Sequence, residues 1–556
     1  MKYFPLASIA LLLAGCGAHH ESFSDLAGQF AREALALSPV GATSVGYHEH
    51  NGVRLDSQLD DMSARGVERQ RQFFTEWNHR LATAASSGEL TAEDQADYRL
   101  LRDQIGLAML EANTIQNYRH NPTVYVELAG NALYSPYILE YAPKAERFKH
   151  LIARLEKLPT VFDAARQNLV DSPAVWNRVA QEENEGNIGL IDVSIRRDCP
   201  PELKKQFDPA AAGAITALRE FNNWLKTDLA RHTSDWRLGK EKYARKFRYA
   251  LETDTTPEQL LADAEAQIKA VRERMAQIAK PDTVEAALDK IAKKHATPQT
   301  YIDDAKRDLD EARAFVSEHK LLGLPQGSNL QVIETPVFMR GIYGVGGFSP
   351  APPLEPKLGA YYWITPIPAN WPADRIESKL REYNTYGLKI LTVHEAMPGH
   401  YVQAEYANNV QPANRRLVRS LFGSGAYVEG WAVYATDMMI DQGDYKNDPG
   451  MQLTWGKQLL RAIANTVLDI RFQTMGLTEQ QALDLMIKDT YQEKEEATAK
   501  VQRSQLSSCQ LPTYFAGYRA WQKVRQASPL PLAEFHERAM KEGAVALPDL
   551  ERLLAK

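Results

Sequence analysis

Leu391-Thr392-Val393-His394-Glu395-Ala396-Met397-Pro398-Gly399-His400 is the stretch on which the reading of this chain turns. A histidine followed at once by glutamate, and soon by a second histidine, is how zinc hydrolases bring two imidazole ligands and a general base together. Leu391, Thr392 and Val393 run directly into the cluster, so a buried element is expected to deliver it. Two imidazoles and a carboxylate buried without a partner are costly, and a metal removes that cost. The spacing is unusual. Histidines four residues apart lie about 40° from alignment and share one helix face. His394 and His400 are six apart, and a straight helix would carry the second ring roughly 240° round, to the far side. The i+4 position is Pro398, which binds no metal. Proline removes a backbone donor and glycine permits unusual dihedrals, so Pro398-Gly399 is expected to break the helix and swing His400 back.

Downstream, a helix-like stretch over 400–408 and a polar linker over 411–414 lead to Ser424-Gly425-Ala426-Tyr427-Val428-Glu429-Gly430-Trp431-Ala432-Val433-Tyr434. Glu429 is an acid among aromatic and small apolar residues. A zinc hydrolase with two histidines needs a third protein ligand, and a glutamate some thirty residues on fits that need. The plainer alternative is a surface acid at a helix end, which its apolar neighbours disfavour.

Around this cluster the pattern is mostly helical. Apolar residues recur at three- and four-residue steps through 23–37, 94–112, 147–169, 209–232 and 257–278. Thr256-Pro257-Glu258 places a hydroxyl at an N-cap with proline in the first helical position, and Thr478-Glu479-Gln480-Gln481 reads as a capping box. The region 324–371 differs, with Gly341, Gly344, Gly346, Gly347 and a Pro-rich cluster at 349–356. Two β-prone runs stand there, at 330–338 and 359–365, and the second is expected to offer a sheet edge to an extended peptide. No phosphate-binding glycine motif is present. The fold class expected is therefore mostly α, a two-lobed helical metallopeptidase-like fold with a small β-sheet beside the active-site helices. Residues 25–320 form a helical N-terminal lobe and 321–556 a catalytic lobe, the two integrated into one unit.

The 556 residues suffice for more than one lobe, with 44% hydrophobic and 24% charged residues arguing against disorder. A net charge of −6 without a dense basic block argues against a nucleic-acid partner. Residues 1–16 read as a targeting segment: Lys2, a short apolar run over 6–14, then Gly15-Cys16-Gly17. The run is too short to span a bilayer. Leu13-Ala14-Gly15-Cys16 resembles the lipobox of bacterial lipoproteins, which implies cleavage and acylation of Cys16, with residues 17–24 as a tether. A plain secretory signal is the alternative. Gly17 in place of aspartate favours an outer-membrane anchor over inner-membrane retention. Membrane contact by the lipid alone, on the periplasmic side of the cell envelope, is the expectation. Cys199 and Cys509 either pair in an oxidising compartment or stay separately buried. His48 and His50 lie two apart in a turn-like segment without carboxylate spacing beyond Glu49, and the acidic group Glu182, Glu183 and Glu185 reads as a solvated face and not a metal site.

Taken together, His394-Glu395-x-x-Pro398-Gly399-His400 and Glu429-Gly430-Trp431-Ala432 resemble the bacterial family catalogued as domain of unknown function 885, grouped with the gluzincin metallopeptidases. The likeness spans essentially the whole mature chain. It implies Zn2+ held by His394, His400 and Glu429, with Glu395 as general base. Pro512-Thr513-Tyr514-Phe515-Ala516-Gly517-Tyr518-Arg519 is similar to the family's Pro-Gly-Gln-x-x-Ser-Tyr-Lys stretch, and keeps the tyrosine at 518 and the cation at 519. That implies Tyr518 as an oxyanion donor and Arg519 as a clamp for a substrate carboxylate, against the alternative of a packed aromatic and a surface arginine. Asp469 falls where the family carries Asp-Thr-Gly-Ile-His, with Gln473 at the histidine position, and is expected to orient a ligand imidazole.

The activity these readings converge on is hydrolysis of peptide bonds, with water activated by zinc and Glu395. Two rivals remain: a binding lipoprotein without catalysis, and a structural envelope protein in which the His-Glu cluster is a buried polar network.

Overall fold

The structure is a computed structural model, and it describes residues 22–325, 329–340 and 343–555. The targeting segment, Cys16 and Gly341 lie outside the described residues, as does most of the tether.

Helices carry the chain where the sequence periodicity asks for them, and caps fix their ends. The first, Phe23–Leu37, begins where the Ser22 hydroxyl accepts the Asp25 N–H at 3.1 Å. Pro257–Ile278 opens with a capping box, Thr256 accepting from Gln259 N–H at 3.3 Å while the Gln259 side chain accepts from Thr256 N–H at 2.9 Å. Thr478 and Gln481 form the same reciprocal pair ahead of Glu479–Asp484. The expected 209–232 helix starts earlier, at Lys204, with Pro209 inside it, and gives way at Thr227 to a separate turn at Leu229–Arg231. Phe207, Ala210, Ala211 and Ala214 are buried on either side of the proline, and their burial outweighs the one helical hydrogen bond that Pro209 cannot donate.

The 330–365 region folds into a three-stranded mixed sheet. Ala360–Ile364 is its central strand, parallel to Leu330–Glu334 and antiparallel to Gly346–Ser349. This corrects the expectation that the 359–365 run offers a free edge. Successive residues Tyr362, Trp363 and Ile364 are all buried, as a strand covered on both faces and paired on both sides must be. The chain reaches that place because the Pro-rich 350–358 segment carries it back between its two partners. One free edge is Gly346–Ser349, and that strand faces the histidine cluster.

One apolar cluster runs across residue 320, joining Tyr301, Leu309 and Val316 to Tyr362, Leu388, Trp431 and Trp521. A second covers 125–229 and a third packs the N-terminal helix against Leu417 and Val418. The helices over 239–318 thus share their core with the helices that carry His394, His400 and Glu429. Cys199 and Cys509 are both free and buried, in different clusters, which decides between the two readings of the cysteines.

Candidate metal centre

The helix Thr385–Glu395 is started by Asn384, whose side chain accepts the N–H groups of Tyr386 and Gly387 at 3.0 and 3.2 Å. Leu388, Ile390 and Val393 are buried. The Thr392 hydroxyl, bonded to Leu388 O at 3.1 Å, also meets the Tyr362 hydroxyl at 3.1 Å and so ties the helix to the central strand. Glu395 is the last helical residue. Ala396 leaves the helix at φ −123°, ψ −71°, and a new helix, His400–Ala407, begins after Gly399. Between them the Gly399 N–H returns to Val393 O at 3.0 Å. A Cβ at Gly399 would stand 1.9 Å from the His394 carbonyl oxygen, so only glycine permits this close a return.

The break has the consequence the six-residue interval demanded. The rings of His394 and His400 face each other nearly at right angles, 84° between planes and 4.9 Å between centroids. Glu429, from the helix Gly425–Ile440, brings Oε2 to 3.5 Å from His400 Nε2 and 3.9 Å from His394 Nε2. One ligand atom from each residue lies within 4.8 Å of the others, and no other such group occurs among the described residues. Tetrahedral bonds of about 2.0–2.1 Å put neighbouring ligand atoms roughly 3.4 Å apart, so the three stand where donors to one small cation stand. Glu429 Oε2 and His400 Nδ1 are buried without a hydrogen bond, and for the carboxylate oxygen a cation is the fitting partner.

Two further packing devices hold the arrangement. The Trp431 indole N–H donates to Pro398 O at 3.0 Å and to Gly399 O at 3.3 Å, so the helix that carries Glu429 also grips the break. Gly430 meets Gly517 on the helix Pro512–Ala527; a Cβ on Gly430 would lie 2.5 Å from Gly517 Cα. Side chains at that crossing would force the helices apart. One turn before Gly517 stands Tyr514, whose ring stacks on His394 at 6.3 Å and 16°.

Electrostatics sorts the roles. Desolvation, helped by His400, holds His394 down to about 3, so its imidazole stays neutral. Desolvation pushes Glu395 up to about 7; the Phe348 N–H and nearby cationic groups only partly offset it. Desolvation alone would lower His400, but the Glu429 carboxylate outweighs it and the imidazole lies above its ordinary value. Tyr514, desolvated and near Glu429, is pushed up to about 12 and keeps its hydroxyl proton. Phe348, on the free sheet edge, lies nearly parallel to His400 at 6.4 Å. Of these groups His394, Glu395 and Tyr514 line a cavity of about 700 Å³, together with Lys379, Lys500 and Arg503.

Three residues singled out in the sequence lie elsewhere. The Tyr518 hydroxyl, one turn beyond Tyr514, donates to Asp437 at 2.6 Å and accepts from Gln522 at 2.7 Å. It is committed to that carboxylate, and the tyrosine that lies beside His394 is Tyr514. Arg519 is 42% exposed and paired with Asp263 at 3.1 Å, a surface ion pair far from any clamp role. Asp469 is buried but accepts from the Tyr243 hydroxyl at 2.6 Å and from Cys509 N–H at 3.1 Å, and so anchors helices and not an imidazole. Gln473 accepts from Leu238 N–H at 2.9 Å, which explains a glutamine there. Of the acidic group, Glu182 and Glu185 are exposed as read, whereas Glu183 is half-buried and pushed up to about 8 by desolvation and by Glu127. His48 is likewise no plain surface residue, being held by Asp56 at 2.8 Å and facing Glu355 at 3.2 Å. Sequence reading missed Tyr514, Lys500 and Arg503. Tyr514 stood inside the Pro512–Arg519 stretch, while the two cations sat in a charge-dense helix, Lys494–Ser504, that resembles any solvated face.

Residues 39–554 match the family described as bacterial protein of unknown function (DUF885). Among solved structures, "a putative lipoprotein of unknown function from Shewanella oneidensis" is 27% identical, with a TM-score of 0.79 over 96% of this chain and 100% of that one. "The putative lipoprotein from Colwellia psychrerythraea" is 18% identical, with a TM-score of 0.77 over 96% of this chain and 99% of that one, and shows the fold alone. No curated protein matches the sequence.

Proposed function

The chain belongs to the family of bacterial proteins of unknown function DUF885, and from that premise we propose that it is a zinc-dependent peptidase of the cell envelope, gluzincin-like in its site. The observation that carries the reading is the convergence of His394, His400 and Glu429 across a broken helix, with Glu395 beside them at a cavity wall. A structural network has no use for a carboxyl group held up to about 7 next to three metal donors, whereas a general base works best near the operating pH.

A zinc ion held there supplies Lewis acidity, polarising a carbonyl and acidifying water. The chain's own groups do the rest. Glu395 takes the proton of the attacking water and passes it to the amide nitrogen as the C–N bond breaks, so the amine leaves neutral. The Tyr514 hydroxyl donates to the oxygen on which charge develops as the carbonyl carbon becomes tetrahedral. The free strand Gly346–Ser349, whose Phe348 N–H serves Glu395, offers its remaining outward backbone groups to an extended substrate.

Location follows from the Cys16 context and from relatives described as lipoproteins: a lipid-anchored envelope protein, with the outer membrane as the proposed site and the periplasm as the compartment it faces. No helix among the described residues is long and apolar enough to cross a membrane.

The test is Glu395→Gln, assayed against a peptide library with metal content measured in parallel. Turnover should fall by at least about a hundredfold while zinc stays bound. Full activity in that variant would end the proposal.

A further inference from the structure

The metal cavity carries more positive charge than its own carboxylates balance. Among its lining cations, Arg461 pairs with Glu496 at 3.1 Å, Arg375 with Glu495 at 2.6 Å and Arg340 with Glu334 at 2.9 Å. Lys379 donates to Gly344 O at 2.9 Å and lies over the Tyr383 ring at 4.6 Å. Lys500 and Arg503 remain. They stand three residues apart on Lys494–Ser504, hence on one face, and neither has an ion-pair partner among the described residues. Arg503 lines the cavity, meets Gln510 at 3.3 Å and the Tyr514 hydroxyl, and feels the Glu429 carboxylate without forming an ion pair with it. Desolvation, with Arg503 and Arg461 near it, holds the Lys500 ammonium down to about 7, and the carboxylates of Glu496 and Glu429 only partly offset this.

We propose that Lys500 and Arg503 form an anion subsite that takes a substrate carboxylate, and that this carboxylate is the peptide's C-terminus. This rests on the peptidase reading and sharpens it, because a terminal carboxylate bound beside the metal donors makes the enzyme cut from the C-terminal end. A guanidinium offers a planar fork that suits a carboxylate, and the ammonium adds a point charge one turn away.

The test measures binding by calorimetry to the full chain carrying Glu395→Gln, so that nothing is cut. The probes are N-acetyl-Ala-Ala-Ala, its C-terminal amide, and N-acetyl-Ala-Asp-Ala amide. The free acid should bind at least tenfold more tightly than either amide. Adding Arg503→Gln or Lys500→Gln should erase that advantage, while Arg503→Lys keeps part of it and shows that the fold is intact. Equal binding of acid and amide, or binding of neither, overturns the subsite. An Asp-containing amide that binds as tightly as the free acid overturns the terminal assignment. A wild-type chain that keeps the acid preference yet cuts no peptide refutes the peptidase reading instead.

Discussion

The Trp431 indole nitrogen donates to the Pro398 carbonyl at 3.0 Å, so the helix that supplies one donor of the candidate metal centre also clasps the break that presents another. Three candidate metal donors drawn from three helices stay in register only if the break between the first two cannot drift. The indole supplies that restraint: it is fully buried, wedged against Trp521 and His536, and shares its hydrogen between two consecutive carbonyls.

Trp431→Phe keeps most of the apolar bulk and deletes the donor. The buried Pro398 carbonyl then loses its partner, while Gly399 O keeps the Gln403 N–H, and the loss costs about 1–3 kcal/mol. We expect urea unfolding to report that loss, and chelator competition to show weaker zinc retention. Unchanged stability and zinc affinity would show that the break holds itself.

Tyr514 and Tyr518 separate the roles of two tyrosines one turn apart. Tyr514→Phe should lower kcat by about a hundredfold with little change in KM, the pattern of a donor used only as charge develops. Tyr518→Phe breaks the bond to Asp437, so its effect should appear in thermal stability and not in kcat. Steady-state kinetics on both variants checks this; the reverse pattern would return the oxyanion role to Tyr518.

Glu252 gives a pH prediction independent of the metal. Desolvation pushes this buried carboxyl up to about 8, with Ser424 and Gln104 only partly offsetting it. A carboxyl raised in the folded state holds its proton there while the unfolded chain releases it. Stability is therefore full below the ordinary carboxyl range, falls as pH rises from about 4.5 to about 8, and stays low above that. Glu252→Gln should flatten this slope and make the protein more stable at pH 8.5 by roughly 2 kcal/mol. Denaturation curves at several pH values measure it, and parallel curves for the two proteins would refute the buried neutral carboxyl.

How much of this was legible in the sequence follows from what each feature depends on. Phe23–Leu37 and Pro257–Ile278 could be bounded because their apolar period and capping residues are local. His394, Pro398, Gly399, His400 and Glu429 could be grouped because a six-residue interval makes chemical sense only around a break. Strand order is not local: 359–365 reads as a β-run anywhere, and only the return of 346–349 to its outer side makes it central. Tyr518 stands out in the sequence because it matches the family's tyrosine, whereas only the packing of Pro512–Ala527 shows that Tyr514 is the one stacked on His394. Lys500 and Arg503 became distinct from other surface cations only once the carboxylates around them were seen to be taken.

The most direct test of the account is metal content. Elemental mass spectrometry on the purified, zinc-equilibrated protein should give one zinc per chain, with affinity falling at least about a hundredfold in His400→Ala and in Glu429→Gln. A wild-type chain that takes up no zinc, or a double variant lacking both imidazoles that still holds one per chain, would contradict it.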